Sequence, residues 1–252
     1  MGDADNNPLA PAGRAEVEAF AAAMRNRPAK VDAAATTEVK TRAEPATGRG
    51  RLVFALDATM SRQPTWDLAQ QLQGQMFAAA AACGGLDIQL VYFRGFNECR
   101  ASAFLRDGAG LGAAMARISV MSGQTQIGRV LRHIRVERTQ GHEGPPLGAF
   151  VYVGDCMEES ADELARVAGE LGLLGVKGFF FHEGGEARAA AVFKDLAKLT
   201  GGAYAVFDAH SPERLAALLR AAAAYAAGGY KALRDRAAGG DAEARQLLSQ
   251  IR

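Results

Sequence analysis

Residues 51–61 have the sequence RLVFALDATMS. From the second residue on they form a short apolar run that ends at Asp57, which is typical of a buried β-strand. Polar side chains then recur at alternate positions, because Asp57 is followed by Thr59 and Ser61. The stretch therefore predicts a strand over 51–56 whose carboxyl end leads at once into a polar loop.

Downstream of this stretch, helical and extended patterns alternate along the chain. Helical patterns occur at 66–80, 109–117, 125–137, 160–171, 187–199 and 211–228, and strand patterns at 86–93, 98–105, 148–153, 176–181 and 203–207. Continuous apolar strands that alternate with helices favour a parallel sheet covered on both faces. We expect a doubly wound, mostly parallel, Rossmann-like α/β sheet of about six strands, with the first strand beside the fourth. The segment 98–105 is predicted to be its single antiparallel edge strand.

Composition divides the chain into three segments. Residues 1–50 hold four of the eight prolines and many small residues, so they are predicted to be a mobile Ala/Pro-rich tail and linker. Residues 51–228 have the size of one ordinary domain. Residues 229–252 are predicted to be a polar, helical C-terminal extension.

Charge and cysteine content exclude several classes of protein. The 29 basic and 28 acidic residues give a net charge of +1, and without a long basic run a nucleic-acid partner is not expected. No apolar run approaches the ~20 residues of a membrane span, and the N-terminus has no signal core, which predicts a cytoplasmic protein. Three widely spaced cysteines indicate neither a disulfide framework nor a zinc ribbon.

Polar residues from three predicted loops are expected to meet at one edge of the sheet, where such folds bind ligands. Asp57 follows the first strand, Asp155 follows the strand 148–153, and Thr125 lies at the start of a helix. The candidate metal ligands are two carboxylates and three hydroxyls: Asp57, Thr59, Ser61, Thr125 and Asp155. Oxygen ligands alone suit a hard cation, Mg²⁺ first and Mn²⁺ or Ca²⁺ as alternatives. Because hydroxyls are neutral, the metal should seek a further anionic oxygen from outside the chain.

These residues resemble the metal-ion-dependent adhesion site (MIDAS) of the von Willebrand factor type A (VWA) domain family, whose first loop has the pattern Asp-x-Ser-x-Ser. Thr125 and Asp155 match the threonine and the aspartate of the family's second and third loops. The resemblance covers roughly 51–228 and points to a bacterial intracellular member. Thr59 replaces the commoner serine, and Cys156 replaces the glycine that often follows the third-loop aspartate. Neither change removes an oxygen ligand.

The resemblance implies a binding module rather than an enzyme. The metal would accept an Asp or Glu carboxylate from a partner protein, with Met60 and Arg62 at the rim of the site. One alternative is a Mg²⁺-dependent phosphohydrolase of the haloacid-dehalogenase type, which also begins with an Asp after the first strand. Such enzymes need a second Asp two residues on, where this chain has Thr59. A scaffold with an unused metal site is the other alternative, and the oligomeric state is left open.

Several other polar residues are predicted to have structural roles. The four histidines lack metal-ligand spacing and are predicted to face solvent or to have structural partners. Thr125 taken alone is typical of a helix cap, and Asp155 could cap the helix near Glu158. Glu158 and Glu159 are interpreted as the acidic first turn of that helix.

Overall fold

A computed structural model describes residues 49–140, 144–208 and 211–251, without the side chain of Arg62. Apart from Arg49 and Gly50, the predicted tail over 1–50 lies outside the described residues. His142 and His210 lie outside them as well.

Six strands form one sheet in the order β3-β2-β1-β4-β5-β6. Their bounds are β1 Gly50–Asp57, β2 Leu86–Arg94, β3 Glu98–Leu105, β4 Ala149–Gly154, β5 Lys177–Glu183 and β6 Ala203–Phe207. All neighbours are parallel except the edge pair β2 and β3. The predicted fold class is confirmed, including the first strand beside the fourth and the single antiparallel edge strand.

Seven helices in the described residues cover the two faces of the sheet. They are α1 Gln63–Ala81, α2 Gly108–Ala116, α3 Ile127–Thr139, α4 Ala161–Leu173, α5 Ala187–Leu199, α6 Pro212–Ala238 and α7 Ala242–Leu248. Helices α1, α2, α6 and α7 pack on one face, and α3, α4 and α5 pack on the other. A short 3₁₀ turn, Met60–Arg62, lies between β1 and α1.

The central strand β1 shows why the sheet needs helices on both faces. Leu52, Phe54 and Leu56 point into one core, and Val53 and Ala55 point into the other. All five side chains are at most 1% exposed. Because successive side chains of a strand alternate between faces, a continuous apolar run is stable only when both faces are covered.

The C-terminal segment packs on the sheet through apolar side chains. Gly229 has φ 65° and ψ −158°, which is outside the helical region and kinks α6 there. Beyond the kink, Leu233 and Leu247 are fully buried in the same core as α1. The Gln250 side chain accepts a hydrogen bond from the backbone N–H of Tyr204 and donates one to its carbonyl, each 3.0 Å long. This amide therefore satisfies backbone groups of the edge strand β6 that no neighbouring strand could reach.

Within the described ranges, no helix is both long and apolar enough to cross a lipid bilayer.

Candidate metal centre

The carboxyl ends of β1 and β4 lie side by side and position two of the three loops. The strands are parallel neighbours, with Leu56 opposite Val153. Asp57 is the last residue of β1, and Asp155 follows β4 directly. The topology thus brings the two candidate carboxylates to one edge of the sheet.

Hydrogen bonds shape the first loop and connect it to the third. The Asp57 carboxylate accepts a 2.8 Å hydrogen bond from the backbone N–H of Thr59, which bends the chain after the strand. The Thr59 and Ser61 hydroxyl oxygens are 3.2 Å apart, and the Ser61 hydroxyl donates to the Asp155 carboxylate at 3.4 Å. Asp57 is only 3% exposed. Four of the five predicted ligands therefore lie along one connected set of polar contacts.

Thr125 lies in the second loop and is held by Glu158 of the third loop. Its backbone N–H donates to the Glu158 carboxylate at 3.0 Å, and its hydroxyl accepts from the Glu158 N–H at 3.1 Å. Helix α3 begins two residues later, at Ile127, so the interpretation of Thr125 as a helix cap is wrong. One hydroxyl has two lone pairs, so a second acceptor position of Thr125 Oγ1 stays available for a metal.

Glu159 provides the cap that α3 lacks in its own sequence. Its carboxylate accepts hydrogen bonds from the backbone N–H groups of Ile127 and, at 2.8 Å, Gly128. Burial raises the pKa of Glu159, and these two N–H donors oppose that shift. Helix α4 begins only at Ala161 with Ser160 as its N-cap, so the interpretation of Glu158 and Glu159 as its first turn is wrong.

The three loops enclose a cleft of about 230 Å³. Its lining residues are Asp57, Thr59, Met60, Ser61, Ser122, Gly123, Thr125, Cys156 and Glu158. The Oδ2 atom of Asp57 and the Oδ1 atom of Asp155 are shielded from solvent. Burial, and then the neighbouring Asp155 carboxylate, raise the pKa of Cys156 to about 12, so this thiol is neutral at physiological pH. The cleft is lined by hydroxyl and carboxylate oxygens together with Met60, Gly123 and the neutral Cys156 thiol.

Comparison with solved structures shows which known proteins have a similar fold. The VWA domain of SpRpn10 matches with a TM-score of 0.54 and 12% sequence identity over 66% of this chain and 95% of that domain. The chain has the fold of a von Willebrand factor type A domain. A VWA protein from Catenulispora acidiphila also matches, with a TM-score of 0.53 and 17% identity over 72% of this chain and 43% of that one.

A third protein with the VWA fold carries a metal. Proximal thread matrix protein 1 from the mussel byssus, with a zinc-occupied MIDAS motif, matches with a TM-score of 0.55 and 15% identity. That match covers 70% of this chain and 46% of the byssus protein, so this chain spans less than half of that protein and of the Catenulispora protein. No protein-family model and no curated protein sequence matches the chain.

Within this VWA fold, His182 of β5 forms hydrogen bonds with the third loop and with β6. It is fully buried, its Nε2 lies 3.0 Å from the Asp155 carbonyl oxygen, and its Nδ1 lies 2.9 Å from the Tyr204 hydroxyl. A carbonyl only accepts, so Nε2 carries the proton, and in the neutral ring Nδ1 accepts from Tyr204. The histidines are predicted either to face solvent or to have structural partners, and His182 has structural partners. His133 also has a partner, Gln89, at 2.8 Å.

The donor set of the cleft fits a hard divalent cation. Among the described residues, no three His, Cys, Asp or Glu side chains are grouped so as to hold a metal. A metal here would therefore depend on hydroxyl oxygens beside the Asp57 carboxylate, which lines the cleft, and the Asp155 carboxylate, which does not line it but accepts from the Ser61 hydroxyl. Oxygen ligands with one or two carboxylates are what Mg²⁺ prefers.

Proposed function

We propose that the chain is a metal-dependent protein-binding module. Asp57, Thr59, Ser61, Thr125 and Asp155 would hold the cation, directly or through water. An Asp or Glu carboxylate of a partner protein would complete its coordination. The observation that carries this proposal is the meeting of hydroxyls and carboxylates from three loops in one cleft.

The charge of the ligand set explains why a partner would be acidic. The carboxylates of Asp57 and Asp155 together balance the formal charge of a divalent cation, and the other three ligands are neutral hydroxyls, so the cation would still accept a further oxygen ligand. When bound, a cation would supply electrostatic attraction for an anionic oxygen at the open side of the cleft. The VWA fold and the zinc-occupied MIDAS of the byssus protein support a divalent ion. We favour Mg²⁺ for this chain, with Mn²⁺ or Ca²⁺ as alternatives, because every proposed ligand atom is an oxygen.

The proposal also covers the domain bounds, the cellular compartment and the class of partner. We take 51–228 as the module, with 1–50 as tail and linker and 229–252 as the C-terminal extension. The cysteines Cys83, Cys99 and Cys156 are free thiols, which suits the reducing bacterial cytoplasm. A net charge of +1 disfavours a nucleic-acid partner.

Thermal unfolding with Mg²⁺ and with EDTA tests metal binding. A ligand at about a hundred times its Kd stabilises the folded state by about 2.7 kcal/mol, which raises the Tm of a domain of this size by about 5–10 °C. Asp57→Asn should abolish the rise while keeping an oxygen that accepts from Thr59. Asp195→Asn, an exposed site on α5, is the matched control.

Two outcomes would change the functional assignment. An equal Tm in Mg²⁺ and EDTA for the unmodified protein would refute the proposal and favour the scaffold with an unused site. Mg²⁺-dependent hydrolysis of an aryl phosphate would instead favour the phosphohydrolase. The hydroxyl of Thr59 disfavours that enzyme, because it stands where a general acid is needed.

A further inference from the structure

Exposed apolar side chains are concentrated beside the cleft. In the described part of the chain, eight large apolar side chains are exposed, and three of them belong to the loops at this edge of the sheet. They are Met60, Phe96 and Met121, which are 62%, 71% and 44% exposed. We call these three side chains the apolar rim.

Backbone contacts join the segments that carry the apolar rim. Met60, which lies between Thr59 and Ser61 in the sequence, lines the cleft. The backbone N–H of Met121 donates to the carbonyl of Ala58 at 3.0 Å, which ties the segment before the second loop to the first loop. The N–H of Gln124 donates to the carbonyl of Gly95, also at 3.0 Å, beside Phe96. The apolar rim is therefore continuous with the loops that form the cleft.

The turn that carries Phe96 is held in place although its side chain is exposed. The Gln126 amide donates to the carbonyls of Arg94 and Gly95 at 3.2 and 3.3 Å. The Arg129 guanidinium donates to the backbone and side-chain oxygens of Asn97 at 2.7 and 2.8 Å. Because these bonds fix the turn, its backbone would lose little conformational freedom on binding, and aromatic side chains such as Phe often dominate interface energies.

The charge beside the apolar rim suits an acidic partner. The oxygens that hold Arg129 belong to Asn97 and are uncharged, so its positive charge would add to that of a bound cation. The Glu158 carboxylate, which also lines the cleft, opposes this attraction but accepts a hydrogen bond from the Thr125 N–H. Methionine side chains are flexible and polarisable, and therefore adapt to apolar groups of different shape. The same face thus offers attraction for one carboxylate and an adaptable apolar surface next to it.

We propose that the partner presents its metal-binding Asp or Glu within a few residues of a large apolar side chain, which covers Met60, Phe96 and Met121. This inference rests on the proposed function, because the carboxylate is placed by the cation. It adds that the apolar rim determines which acidic segments bind.

The probe is a displayed library of peptides of about ten residues with a fixed central Glu and random neighbours. Peptides are captured on the full chain in Mg²⁺ and released with EDTA. We expect the released peptides to be enriched in Leu, Ile, Phe or Trp close to the Glu. The most enriched peptide should bind a Phe96→Ser/Met121→Ser variant about tenfold or more weakly. The variant should bind Mg²⁺ as the unmodified protein does.

The control variant is Leu173→Ser/Leu199→Ser, which removes two exposed apolar side chains at the C-terminal ends of α4 and α5, on the opposite edge of the sheet. It should bind the selected peptide normally. Released peptides without an apolar preference, or equal binding by both variants, would overturn the apolar rim and leave the proposed function standing. A metal-loaded protein that yields no EDTA-released peptide would overturn the proposed function and this inference with it.

Discussion

Replacement of His182 by Leu should destabilise the domain and loosen the third loop. The ring is fully buried and bridges the Asp155 carbonyl, at 3.0 Å, and the Tyr204 hydroxyl, at 2.9 Å. Leucine has a similar volume but no polar atom, so both groups lose their bond to the ring. Each loss costs about 1–2 kcal/mol when the group stays buried, which gives a total of about 2–4 kcal/mol.

Urea unfolding followed by tryptophan fluorescence measures this loss, because Trp66 is the only tryptophan and is 2% exposed. The double variant His182→Leu/Tyr204→Phe should recover about 1 kcal/mol relative to the sum of the single changes, since no hydroxyl is then left unbonded. A loss below about 0.5 kcal/mol for His182→Leu would refute the bridging role.

Three further predictions concern residues around the cleft. Glu159→Ala should lower the free energy of unfolding by about 2 kcal/mol, and Glu159→Gln by less, because the carboxylate caps α3; equal losses in urea unfolding would contradict this. Tyr152→Phe should leave stability unchanged or raise it by about 1 kcal/mol, because the buried hydroxyl has no hydrogen-bond partner among the described residues. Cys156 has a pKa of about 12, so in EDTA at pH 8 it should react with iodoacetamide about a thousandfold more slowly than an ordinary thiol. Its reaction rate should still rise above pH 10. A rate that reaches a plateau near pH 9 would disprove the raised pKa.

The fold could be predicted because its signals are local. The apolar run before Asp57 and the alternation after it indicate a buried parallel sheet, and the handedness of crossovers leaves few strand orders. The same reasoning places Asp57 and Asp155 at one edge, since Asp57 ends β1, Asp155 follows β4, and the topology makes these strands neighbours. The position of the Thr59 and Ser61 hydroxyls near Asp57 could be predicted because these residues are adjacent in the sequence.

The supporting contacts could not be predicted because their partners are distant in sequence. Glu158 and Thr125 are 33 residues apart, and His182 and Asp155 are 27 apart. Each of these residue types has an ordinary local interpretation, such as a helix first turn or a solvent-facing ring. Only the three-dimensional arrangement shows that acidic side chains of the third loop hold the second loop.

Isothermal titration of Mg²⁺ into the metal-free protein tests the central claim most directly. We predict one site per chain in the unmodified protein, none in Asp57→Asn, and one in the Asp195→Asn control. Failure of the unmodified protein to bind Mg²⁺, Mn²⁺ or Ca²⁺, or full binding by Asp57→Asn, would contradict the account.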